Sequence, residues 1–121
     1  MVMKPDIEGT WRVTSYRSGE VMVEPDEEAE AFLEIDGAGV GGTMGINRFA
    51  GQLEGDSSFG AMAMTRMAGP PELMLQEDIL LEHLQGVDEV EVNGDGMFLR
   101  RDGLLLVELE RSGTDEEPAT S

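Results

Sequence analysis

The chain has 121 residues, 40% of them hydrophobic and 16 of them glycine, and its 26 acids against 8 bases leave a net charge of −18. These values fit one small globular domain with many turns and exclude a disordered chain, which lacks the apolar residues needed to offset its ordering entropy. The charge argues against nucleic acid and anionic membranes as partners, and the lack of cysteine excludes disulfides, thiolate metal sites and cysteine nucleophiles.

Residues 1–8 read as an N-terminal extension. They contain Lys4, the only lysine, and no apolar run long enough for a signal peptide. No segment approaches the roughly 20 apolar residues of a membrane span. The chain therefore reads as soluble and cytoplasmic, the alternative being an extracytoplasmic protein whose leader has been removed. Residues 9–111 read as the domain.

In 9–17, Trp11, Val13 and, less cleanly, Ser15 alternate with Arg12, Thr14 and Tyr16, a strand pattern. Ser18-Gly19 is a turn and 20–23 the return strand of a hairpin. The acidic stretch 24–30, with Pro25, is a loop or a ragged helical turn. A strand over 31–35 offers Phe32 and Leu33 to the core. Asp36-Gly37-Ala38-Gly39 turns the chain into strands over 40–44 and 48–53, separated by an elbow at 45–47. Glu54-Gly55-Asp56-Ser57 closes another hairpin before a strand over 58–64.

One helix is expected, from about Pro71 to Leu84. Pro70-Pro71 starts it, because proline at the first helical position gives up no hydrogen bond, and Gly86 stops it. Leu73, Leu80, Leu84 and Val87 fall on one stripe, with Met74 and Leu81 beside it and Glu77 inside it. Three short strands follow, over 88–92, 97–101 and 104–109, punctuated by Asn93-Gly94-Asp95-Gly96 and Asp102-Gly103. The polar, acidic tail 112–121 is expected to pack weakly. Strands, one helix and a three-stranded meander make a mainly β (α+β) fold: a curved antiparallel sheet or partly closed β-barrel with the helix packed on it.

The centre of the chain carries a resemblance. Gly45-Ile46-Asn47-Arg48-Phe49-Ala50-Gly51 resembles the G-C-N-x-F-x-G signature of the META domain family, of the heat-shock-inducible, HslJ-like type. Phe59-Gly60 with Thr65-Arg66-Met67-Ala68-Gly69-Pro70 is similar to the family's second motif, and Gly9-Thr10-Trp11-Arg12-Val13 to its first strand. Glu77 matches a glutamate that the family often carries. Where the family often has a cysteine in each motif, this chain has Ile46 and Gly69. If those cysteines pair in relatives, Ile46 packed against the side-chain-free Gly69 is the expected replacement, and their joint loss agrees with a reducing compartment. The resemblance implies a scaffold found in stress-induced or envelope-associated bacterial proteins and some parasite virulence-associated ones. It implies no catalytic mechanism.

Several groups are candidate sites. Asn47 and Arg48 could orient a ligand, but asparagine between turns more commonly pins local backbone, with Phe49 in the core. Glu77, on an apolar stripe, must find partners or give up its charge. Arg66 or Arg48 is the expected partner, and an acid–base role for Glu77 with Arg66 or Asn47 is the remote alternative. His83, the only histidine, reads as an exposed helix residue, since Asp78 and Glu82 do not share its face for a metal. Met62, Met64, Met67 and Met74 read as core filling, and otherwise as an adaptable contact patch. Residues 37–45 lack the lysine of a phosphate loop, no serine sits in a G-x-S-x-G elbow, and Asp56 and Asp95 lack calcium-loop spacing. No cofactor and no metal is expected. The readings are a non-enzymatic accessory domain acting through protein contacts or a carrier of a small apolar ligand in the barrel interior, with the enzyme last. The acidity reads either as attraction for cationic partners or as solubility in a screening, high-salt medium.

Overall fold

A computed structural model of the chain describes residues 7–27, 30–54 and 59–112. Residues 1–6 of the extension, the turn at 55–58 with Asp56, and the tail from 113 lie outside these. In chain order the elements are β1 (Gly9–Ser18), β2 (Val21–Val23), β3 (Phe32–Asp36), β4 (Gly39–Thr43), β5 (Arg48–Leu53), β6 (Phe59–Met64), α1 (Pro71–Gly86), β7 (Glu89–Asn93), β8 (Gly96–Arg101) and β9 (Leu104–Arg111). The expected fold class is the one observed, with boundaries moved by one or two residues.

The strands form a single antiparallel sheet in the order β6-β5-β4-β3-β1-β9-β8-β7, and β2 pairs with β1 beside β3. Two meanders, β3 to β6 and β7 to β9, thus meet at the β1–β9 seam. Helix α1 is the connection between the two end strands of this curled half-barrel. Register puts Trp11, Leu33, Gly42, Phe49 and Met64 in one cross-strand row and Met97, Leu109 and Val13 in another, all on the concave side. Leu80 and Leu84 of α1 join that cluster.

One departure is at Ser15. The register of β1 against β9 shifts between Val13 and Ser15, so Tyr16 turns inward and is buried, while Ser15 is only half-buried. An extra residue in one strand of a pair flips the alternation after it and bends the strand, which helps the sheet curl. Gly42 is needed for a different reason. It has φ +144°, and a Cβ there would lie 2.2 Å from the carbonyl oxygen of Phe32, so no side chain fits where β4 pairs with β3.

On α1, Leu73, Leu80, Leu84 and the following Val87 are buried as the helical period requires, and Leu81 packs half-buried against the core. Met74 is exposed instead, and the stripe is completed by Gln76 and Glu77. Steps of three and four from Leu73 reach 76, 77, 80 and 84 and pass Met74 by. No helix among the described residues is long and apolar enough to cross a membrane.

Candidate functional site

The signature residues converge where the elbow between β4 and β5, residues 44–47, lies on the first turns of α1. Thr43 closes the elbow: its hydroxyl donates to the carbonyl of Asn47 at 2.9 Å and accepts from the amide of Gly45 at 3.3 Å. Met44 anchors it, 1% exposed. Gly45 permits the contact with the helix, because a Cβ there would lie 2.9 Å from the carbonyl oxygen of Leu73 and 3.2 Å from Cβ of Glu77.

That approach brings two backbone amides onto the Glu77 carboxylate. Oε1 accepts from the amides of Ile46 and Asn47 at 2.9 and 2.6 Å, and Oε2 accepts from Nδ2 of Asn47 at 2.8 Å. Nδ2 also donates to the carbonyl of Met67 at 3.2 Å. The amide oxygen of Asn47 accepts from the Thr65 hydroxyl at 2.9 Å and from the amide of Met67 at 2.6 Å. Thr65 in turn accepts from the amide of Arg48 at 3.0 Å. Asn47 therefore fills both donor and both acceptor positions of its side chain. Asn47 is 5% exposed and Glu77 3%, a depth at which a carboxylate is tolerated only with donors on both oxygens.

The expected arginine partner is thus corrected. Arg48 and Arg66 are exposed, and the guanidinium of Arg48 lies 5.9 Å from the ring centroid of Phe32 on the convex side. Glu77 is held instead by the elbow's own N–H groups, two from the backbone and one from the Asn47 side chain. Phe49 is buried, as expected; Gly51 is half-buried in β5 opposite Met62; Ala68 is exposed. Met67 contributes its backbone while its side chain is 53% exposed. Both Glu77 oxygens are engaged by these donors, and neither Asn47 nor Glu77 is more than 5% exposed. Ile46 does fill the space beside Gly69: a Cβ on that glycine would lie 2.5 Å from Cδ1 of Ile46.

Gln76 belongs to the same clasp and escapes the sequence reading. Its Nε2 donates to the carbonyl of Met44 at 3.0 Å and its Oε1 accepts from the amide of Asp26 at 2.7 Å, tying the 24–27 loop and the elbow to one helix turn. The signal was its place on the apolar stripe beside Glu77. No buried side-chain nitrogen or oxygen among the described residues lacks a partner.

His83 is also corrected. It is half-buried, and its Nε2–H donates to the carbonyl of Arg17 at 2.7 Å, because a carbonyl can only accept. Among the described residues no three His, Asp or Glu side chains are grouped to hold a metal. Met62 and Met64 pack half-buried against the core, whereas Met67 and Met74 are exposed.

A family model for the META domain matches residues 5–113. Among solved structures, an NMR structure of a protein from Burkholderia xenovorans is similar at TM-score 0.72 and 22% identity, over 87% of this chain and 82% of that one. A second protein solved by NMR is similar at TM-score 0.62 and 21% identity, over 91% and 95% of the two chains. A search of curated proteins finds no match.

Proposed function

Because this chain belongs to the META domain family, we propose that it works as a non-enzymatic accessory domain, stress- or envelope-related and acting through protein contacts. One observation carries the reading. Asn47 and Glu77, the buried polar residues of the family motifs, are turned inward and saturated by hydrogen bonds, so they hold a scaffold and present no reactive group to a substrate. Contact-capable apolar side chains lie instead on the surface around the start of α1, at Met67, Met74 and Leu75. The pairing of Ile46 with Gly69 at the positions where relatives often carry cysteine favours a reducing, cytoplasmic setting.

The alternative of an interior carrier has less to support it. Trp11, Leu33, Leu80, Leu84, Met97 and Leu99 occupy the concave side, each at most 1% exposed, whereas a carrier needs an enclosed apolar cavity there. Native mass spectrometry of the full chain isolated from stressed cells separates the readings. A protein complex of defined stoichiometry is expected. A bare chain carrying one small molecule would replace the proposal with the carrier.

A further inference from the structure

A second place in the molecule gathers positive charge in a cleft. It lies at one end of the half-barrel, between the C-terminal turn of α1, the β1–β2 turn and the β8–β9 hairpin, with a volume of about 250 Å³. Arg17 and Arg101 line it, with Ser18 and His83, and Ile79 and Leu106 supply apolar wall. In a chain with 26 acids and 8 bases, chance placement gives an arginine carboxylate neighbours. Arg12, Arg100 and Arg111 have them within 4.0 Å. Arg17 and Arg101, facing the same cleft, have none among the described residues.

Arg17 is also held in place. Its Nε donates to the carbonyl of Leu105 at 2.7 Å, and its own carbonyl accepts from His83. This fixes the guanidinium while its terminal nitrogens meet no protein acceptor among the described residues. Arg101 lies against the helix end: a Cβ on Gly86 would be 3.1 Å from its Nη1. There it offsets the negative pole of α1, about half a charge. Glu82 stands in the wall as well. Two guanidinium groups against one carboxylate and the helix pole leave a small positive excess, enough for a single negative charge and too little for two inside a chain of −18.

We propose that this cleft binds a small monocarboxylate, its carboxylate between Arg17 and Arg101 and its apolar end on Ile79 and Leu106. Guanidinium forks match the planar carboxylate. The volume falls below the roughly 300–1,000 Å³ of drug-sized pockets, so the ligand is a short-chain or single-ring acid.

The test is an NMR titration of the full-length protein with hexanoate, reading the backbone amides of Ser18, Gly19 and Gly86 and the arginine side-chain Nε–H signals. Saturable shifts confined to these groups are expected, weakened by roughly tenfold or more in Arg101→Gln, which removes one charge from an exposed position and keeps the fold. Hexanol and inorganic phosphate should each bind at least roughly tenfold more weakly than hexanoate. The proposal is overturned by no saturable shift, by an equal response in Arg101→Gln, by hexanol matching hexanoate, or by phosphate binding the tighter.

Discussion

The elbow clasp and the ion pairs on the convex side use similar groups to opposite effect. In the clasp one carboxylate, one amide and a few backbone N–H groups are shut away from water at 3% and 5% exposure. On the convex side Arg12 reaches Glu110 at 2.8 Å with side chains 42% and 57% exposed, and Arg100 pairs with Glu91. Both are good hydrogen bonds by distance. The difference lies in what replaces them when they break. Water takes over at the surface, and nothing does in the clasp. Geometry alone therefore ranks these contacts wrongly, and burial ranks them correctly.

The sharpest way to break that comparison is Glu77→Gln. The substitution turns one acceptor into a donor facing N–H groups, and should lower stability by about 2–4 kcal/mol. Thermal unfolding measures it, and an unchanged melting temperature would remove the clasp from the account of the fold. Arg48→Ala and Arg66→Ala, made alongside, should change stability by no more than about 0.5 kcal/mol.

Ile46→Cys with Gly69→Cys comes next. The oxidised form should exceed its own reduced form by about 3 kcal/mol, given the roughly two dozen residues enclosed. Denaturant midpoints with and without reductant give the difference, and failure to cross-link would place the two positions further apart than their packing indicates. Gly45→Ala, which pushes the elbow off Leu73 and Glu77, should cost about 1–3 kcal/mol, read from the same midpoints.

At the surface, Arg12→Ala should cost less than about 1 kcal/mol, and less still in high salt. A larger, salt-insensitive loss would mean that Arg12 matters through its packing. Smallest is an alkaline effect at Tyr16, whose phenol is held above its usual value by burial and then by the nearby Asp26 charge. Below about pH 10 the phenol is neutral in both folded and unfolded chains and contributes no slope. Above it the unfolded chain ionises first, so stability falls as pH rises. Tyr16→Phe should flatten that decline in a pH series of unfolding midpoints.

Much of the fold could be read from local signals. Alternation placed the strands, Asn93-Gly94 and Asp102-Gly103 placed the last two turns, and Pro70-Pro71 set the start of α1. Glu77 announced itself as a charge among leucines. Its partners did not, because two of the three donors are main-chain amides of residues 46 and 47, and every residue type except proline carries an amide. Reasoning from charge alone nominated Arg66 and Arg48, both of which remain in water. His83 was misjudged for a similar reason, since what it meets is a carbonyl of Arg17 brought near by long-range pairing. Tyr16 and Ser15 exchanged places through a bulge that no local pattern encodes.

The β1–β9 seam joins residues near the two ends of the domain, Trp11 with Arg111 and Tyr16 with Val107. During synthesis the ribosome releases β1 before the other described strands and β9 after them. Until then β1 has a neighbour on one side only, and its other edge is an unfilled template of N–H and C=O groups. Closing so long a loop is slow compared with forming a local hairpin. A nascent chain halted before residue 104 would therefore expose that edge in the middle of the future sheet, where it can recruit a strand from another molecule.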